Sequence, residues 1–254
     1  MQEHQIWTII NATPDSFWQG SRAQTAEQIT FSARQAIDSG ASVLDLGGMS
    51  TRPGYTEISS EEEYARLRIA VGAVRSVAAD FPISIDTYRS EVVRRIFDEF
   101  GTITVNDISG GELDEDMFAT LGERGLDYVM MSRNDTMENM IRFFDLNIGL
   151  AQRAGVKNII IDPGFGFGKS VAQNFQILGS MDRLRQFGLP ILVGLSRKSM
   201  IWRTLDTSPD DALNGTLVLE FEALARGADI LRVHDTPQTA QIIKLYETYN
   251  SNRR

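Results

Sequence analysis

Eight short apolar runs punctuate this chain, each ends in a polar residue, and helix-forming stretches separate them. The runs cover 6–10 before Asn11, 42–44 before Asp45, 82–85 before Asp86 and 103–105 before Asn106. They continue at 128–131 before Ser132, 158–161 before Asp162, 191–195 before Ser196 and 230–233 before His234. A continuous Val/Ile/Leu run marks a strand buried on both faces, and repeated strand–helix units imply parallel pairing through crossover helices. Eight such units in 254 residues match the count and size of a (β/α)8 TIM barrel, in the α/β class. Barrel sites are built from the carboxyl ends of the strands. The eight polar residues are therefore the candidate site.

With 42% of residues apolar, the core supply is ample, and no linker-like shift in composition divides the chain. A single domain over 1–254 is expected. The formal charge of -9, from 34 acidic and 25 basic residues, argues against a nucleic-acid or anionic-membrane surface. It leaves room for an anionic small molecule where basic residues cluster. Cysteine is absent, which excludes disulfides, thiolate catalysis and Cys-ligated metal. No apolar run reaches the roughly 20 residues needed to cross a bilayer, and no signal-peptide pattern opens the chain. A cytoplasmic protein is expected.

Helices are expected over 25–39, from Ser59 or Ser60 onward, and over 90–100, 114–124, 136–154, 170–187, 209–226 and 237–250. Thr25 with Gln28 has capping-box spacing, as does Ser59 with Glu62. The acidic run Glu61-Glu62-Glu63 suits the positive end of a helix dipole and reads as a helix start rather than a metal site.

Several strand-end segments carry chemistry. Asn11 begins a connection to the first helix that is long for a βα loop, and such loops often act as lids. Its Asn, Pro, Asp and Ser also fit a plain turn. Gly47-Gly48-Met49-Ser50-Thr51-Arg52-Pro53-Gly54 combines permissive glycines with donors, which suits an anion, and Arg52 could grip it bidentately. The alternative is a solvated loop bearing an exposed arginine. Asp162-Pro163-Gly164-Phe165-Gly166-Phe167-Gly168-Lys169-Ser170 ends like a P-loop. Pro163, however, stands where the first glycine of G-x-x-x-x-G-K-[ST] belongs, and Lys169 breaks G-x-G-x-x-G. Neither nucleotide motif is present. Ser196-Arg197-Lys198-Ser199 and Arg232-Val233-His234-Asp235 follow the last two runs, where barrels often bind phosphate. Arg232 and His234 alternate by two and should share one side of their strand. Asp86, Asn106 and Asp162 form a second group, and buried carboxylates of this kind need N–H partners such as a 2-aminopyrimidinone ring. Asp45 and Asp107 are read as structural. No His/Asp/Glu spacing supports a tightly held metal.

Together these segments resemble the dihydropteroate synthases, a family of pterin-binding (β/α)8 barrels. The carriers are 11–17, 47–54, 84–87, 105–108, 162–169, 194–199 and 232–235, seven motifs in order over essentially the whole chain. The resemblance implies condensation of 7,8-dihydropterin-6-ylmethyl diphosphate with 4-aminobenzoate, giving dihydropteroate and pyrophosphate in folate biosynthesis. It implies that Asp86, Asn106, Asp162 and Lys198 hold the pterin, with Arg232 stacked on it. Asn11, Arg52, Arg232 and His234 would bind the diphosphate, and Asn11 would touch a Mg²⁺ carried with it. Thr51, Ser196 and Phe167 would lie near the aminobenzoate. The catalytic groups so implied are Arg52, Lys198, Arg232 and His234, and a homodimer is implied as well.

The chain departs from the family at Gln19, where a loop aspartate is usual, at Met49 in place of glutamate, and at Ser132 in place of histidine. The N-terminal hairpin that often closes the barrel is reduced or absent. Three other readings stand beside the synthase: a pterin-binding paralogue with weak activity, a methyltetrahydrofolate-type methyltransferase, and a phosphate-binding barrel of unrelated chemistry.

Overall fold

In the computed structural model the eight runs become eight parallel strands of one sheet. The structure describes residues 4–12, 22–49 and 57–252, with the backbone alone for 22–25. The strands are β1 (Gln5–Asn11), β2 (Val43–Gly47), β3 (Ile83–Asp86), β4 (Thr104–Asp107), β5 (Asp127–Met131), β6 (Ile159–Asp162), β7 (Leu192–Val193) and β8 (Ile230–Val233). The order β6-β5-β4-β3-β2-β1-β8-β7 runs round the barrel, and a bridge between Ile161 and Ile191 joins its two ends. This is the (β/α)8 TIM barrel read from the sequence. Only His4 precedes β1 among the described residues.

Because successive side chains on a strand face opposite ways, each strand gives alternate residues to the interior and to the helices. Low in the barrel, Trp7, Val43, Val129, Leu192 and Ile230 form an apolar cluster of their own, with Ile160 packed against it. Two residues further along their strands stand Asp45, Asp162 and Arg232. The same alternation that seals the floor thus sets a polar layer directly above it. The larger core lies outside the strands, between them and the helices.

Those helices are α1 (Arg22–Asp38), α2 (Ser60–Val77), α3 (Ser90–Phe100), α4 (Met117–Arg124), α5 (Met137–Arg153) and α6 (Val171–Gly179). They continue with α7 (Ser199–Thr204), α8 (Leu213–Ala225) and α9 (Thr236–Ser251). Ser59 caps α2 by accepting from the Glu62 N–H at 3.2 Å, so the acidic run opens a helix as expected. Glu63 is nevertheless fully buried, paired with Arg89 at 2.7 Å. Ser170 and Gln173 make both halves of a capping box at α6.

Several boundaries differ from the sequence expectation. The first helix begins at Arg22, so Thr25 lies within it and is not its cap. β2 runs on to Gly47, which makes Asp45 a mid-strand residue rather than a strand tip. β7 is only Leu192–Val193, because a turn closed by Lys198 N–H to Leu195 O at 3.1 Å takes the chain out of the sheet. Its neighbour contact is reinforced from outside: Asp229 accepts from the Ile191 N–H at 2.9 Å while Arg185 pairs with Asp229 at 3.1 Å. The sixth helix ends at Gly179 and resumes as a 3-10 helix, Met181–Phe187. The short α7 occupies a stretch to which the sequence assigned no helix, and α8 starts at Leu213 rather than near Pro209.

One buried acid lies between α8 and α9. Glu220 accepts from Thr239 Oγ1 at 2.9 Å, and its Oε1 has no partner. Burial pushes its carboxyl up to about 7 from 4.5, against the Thr239 hydrogen bond, which favours the charge, and with a further upward push from Asp235. The folded chain therefore keeps a proton that the unfolded chain releases earlier, and stability falls as pH rises from about 4.5 to about 7. Glu220→Gln, neutral throughout, should match the parent near the low end of this window in thermal melts. Above it the variant should be the more stable, by at most about 3 kcal/mol. Equal melting of the two proteins at both ends would remove this account of Glu220.

Candidate functional site

The polar layer is organised around one guanidinium. Arg232, on β8, reaches across the barrel interior to β2 and β3. Its Nε donates to Asp45 Oδ2 at 2.6 Å and its Nη2 to Asp86 Oδ2 at 2.8 Å. Burial alone would weaken the charge on Arg232, but the two carboxylates outweigh it and hold the pKa above the usual value. Asp45 has no exposed surface and accepts a second donor, Asn106 Nδ2, at 3.3 Å from its Oδ2. This contact fixes the Asn106 amide: its NH2 points at Asp45, so its carbonyl oxygen is the atom left to serve elsewhere.

Asp86 is buried, and its Oδ1 has no hydrogen-bond partner. Burial raises its carboxyl to about 7; Arg232 opposes that shift, while Asp45 adds to it. Asp162 is likewise raised by burial, against the pull of Lys198 and of the Gly164 N–H that its Oδ1 accepts at 2.7 Å. Lys198 donates to the Phe165 carbonyl, and its ammonium lies 4.7 Å from the centre of the Phe167 ring. Burial lowers the Lys198 pKa to about 8, with Asp162 opposing.

A third group sits at the rim. Ser196 Oγ and His234 Nδ1 lie 3.0 Å apart, and the His234 N–H also donates to Ser196 Oγ at 3.3 Å. Ser196 is buried and His234 is exposed. Arg197, at φ +55°, turns away to grip Asp235 with two hydrogen bonds of 2.8 and 2.9 Å. Asn11 ends β1, half-buried and in register with Gly47.

The structure thus brings Asp86, Asn106, Asp162, Lys198, Phe167 and Arg232 into one mouth, with Ser196, His234 and Asn11 at strand ends around it. Thr51, Arg52 and Gln19 lie outside the described residues. Asp107 is structural as read: it accepts from the N–H and Oγ of Ser109, the Gly111 N–H and Tyr128 OH, at 2.7 to 2.8 Å. Asp45 is more than structural, because it is the partner that aims Arg232 and Asn106. Its place two residues before the strand end, on the inward face, was the available signal. Ser196 and His234, assigned above to different substrates, are bonded to each other. Ser132, a departure from the family, is buried and its Oγ accepts from Asn134 Nδ2 at 3.1 Å. Met49, another departure, is buried as well. Among the described residues no group of three or more His, Cys, Asp or Glu could hold a metal ion.

This is a dry-floored cup of fixed acceptors with a central arginine. A family model, that of pterin binding enzymes, matches residues 7–234. The chain belongs to the pterin binding enzymes. Among relatives within the family, a dihydropteroate synthase of Clostridium beijerinckii is 36% identical over 251 residues, spanning 94% of this chain and 92% of that one. The crystal structure of a Clostridium difficile dihydropteroate synthase in the presence of pteroic acid superimposes with a TM-score of 0.93. It is 34% identical and covers 100% of this chain and 98% of its own. That of Xanthomonas albilineans with 4-aminobenzoic acid gives a TM-score of 0.92 at 32% identity, covering 98% and 94%.

Removing one partner from a buried ion pair leaves an uncompensated charge, which costs about 3 kcal/mol or more. Asp45→Ala should therefore lower the denaturation free energy by about that amount and weaken pterin binding, since Arg232 and Asn106 lose their anchor. Urea melts with calorimetric titration of a pterin would show both effects. A variant as stable as the parent and with full affinity would contradict the central role of Asp45.

Proposed function

We propose that this pterin binding enzyme is a dihydropteroate synthase, a transferase that joins 7,8-dihydropterin-6-ylmethyl diphosphate to 4-aminobenzoate and releases pyrophosphate. One observation carries the reading: Asp86 Oδ1, a buried acceptor without a partner, lies on β3 in register with Asn106 of β4, whose amide NH2 is taken by Asp45. Buried acceptors of this kind require N–H donors. The amino and ring N–H groups of a pterin supply them, and the pterin carbonyl can in turn accept from Lys198. Asp162 completes the acceptor set, and Arg232 offers the flat face of its guanidinium to the ring.

In the reaction the bond between the exocyclic methylene and the diphosphate oxygen breaks, and a carbon–nitrogen bond to the aryl amine forms. The diphosphate leaves with the bonding electron pair, and the amine loses a proton. An electron-rich pterin can bear positive character at the methylene, so the demand on the protein is to hold the departing charge and exclude water. Arg52, Arg232 and His234 are the groups assigned to that charge, with Asn11 at the first strand tip. An aryl amine is neutral at pH 7, so no strong base is needed. Thr51, Ser196 and Phe167 are assigned to the aminobenzoate.

A magnesium ion carried with the diphosphate fits this donor set: Asn11 offers one hard oxygen, and a substrate-borne Mg²⁺ takes its other ligands from phosphate and water. Such an ion screens the charge on the leaving group. A cytoplasmic homodimer completes the proposal. No helix among the described residues is long and apolar enough to cross a membrane. The outer pair α8–α9 exposes Val218, Leu245 and Tyr249, as a subunit contact would require. The curated relatives, synthases over nearly the full length of this chain, leave the methyltransferase and unrelated-barrel readings without support.

Pyrophosphate release from dihydropterin diphosphate should require 4-aminobenzoate, and it should stop on chelation and return with Mg²⁺. Release that ignores the aryl amine would defeat the synthase reading. Arg52→Ala should cut turnover by about 100-fold, the scale of one lost charge-stabilising group, and leave pterin affinity nearly unchanged. An unchanged rate would strip Arg52 of its role.

A further inference from the structure

The stretch from Gly164 to Ser170 enters the proposed function only through Phe167, although it carries a half-buried cation, Lys169. Its fold is demanding. Gly164, Gly166 and Gly168 all take left-handed backbone, at φ +65°, +81° and +66°. A Cβ at Gly164 would lie 2.3 Å from the Ser132 carbonyl oxygen, and one at Gly166 would lie 2.9 Å from Lys198 Cδ. The Phe165 ring anchors the middle of this turn in the core, and four side chains hold its backbone.

Two of these are Lys169 and Asn174. Lys169 folds its ammonium back beneath the loop and donates to Gly164 O at 2.8 Å, Ser132 O at 3.2 Å and Phe167 O at 3.3 Å. An ammonium has three N–H donors, and three carbonyls use them. No donor remains for a phosphate, which is why a Gly-Lys-Ser ending here is no nucleotide motif. From the other side Asn174, buried on α6, accepts from the Gly166 N–H at 2.8 Å and donates to Ser170 O at 2.7 Å and Lys169 O at 3.3 Å. Between these two pins, the Phe167 ring is held against the Lys198 ammonium.

We propose that Lys169 and Asn174 are positioning residues that lock the glycine loop after β6 into the shape presenting Phe167, and thereby govern the aminobenzoate side of the site more than the pterin side. The pterin-side groups touch the same loop, Asp162 through the Gly164 N–H and Lys198 through the Phe165 carbonyl, but Asp162 stands on β6 and Lys198 on the segment after β7. The division between substrates rests on the synthase reading; the locking of the loop does not.

The test uses the full chain with Lys169→Met and, independently, Asn174→Ala. Amide hydrogen exchange over 164–168, measured without substrates, should speed up by about 10-fold or more, because local opening is no longer resisted. In the coupled assay the KM for aminobenzoate should rise by about 10-fold while pterin affinity stays within about twofold, as a misplaced contact predicts. Unchanged exchange in both variants overturns the locking. Equal weakening of both substrates overturns the division between them. If Lys169→Met fails to fold, Asn174→Ala carries the same two readouts. Absence of turnover in the parent protein would sink the synthase reading alone, and the exchange measurement would still decide the loop.

Discussion

The site depends on a guanidinium held between two buried carboxylates. Taking Arg232, Asp45 and Asp86 out of water costs several kcal/mol per ion before any attraction is counted. That cost is tolerable because the geometry is close, at 2.6 and 2.8 Å, and because Asp45 also receives the Asn106 amide. The consequence is order: four side chains from strands β2, β3, β4 and β8 are aimed before any ligand arrives. Asp86 is left one donor short, with a raised pKa, so a ligand's N–H groups can repair a deficit that folding leaves in place.

The floor beneath this layer matters as much as the layer itself. Trp7 and its apolar neighbours exclude water from below, so the fixed dipoles above them act in a medium that screens them little. Charge developing on a leaving group at the rim is then stabilised by groups that need not reorganise. In the proposed division of labour, Arg52 and His234 meet the anion and the inner acceptors meet a neutral heterocycle.

Much of this was legible in the sequence, because a barrel writes its strands as apolar runs and its site at their ends. Asp86, Asn106 and Asp162 were found that way, and the alternation by two placed Arg232 inside. Asp45 was read as a mere strand end because β2 continues two residues beyond it, and a run interrupted by a buried charge hides its true length. The pairing of Ser196 with His234 could not be seen, since it depends on how far the loop after β7 turns back. Lys169 was legible as a residue but not as a contact: rejecting the P-loop said what it does not bind, and only the fold shows the three carbonyls it holds.

The seam between β6 and β7 has a consequence for motion. Other neighbours in the barrel share runs of paired residues, but here one bridge at Ile161 and Ile191 suffices, while Asp229 and Arg185 tie Ile191 to the β8 side. A barrel that opens would part at this weakest line, with β1 to β5 still zipped. The ion pair on the outer wall would then keep β7 on β8, so that the segment carrying Ser196 and Lys198 moves with its neighbour and not alone.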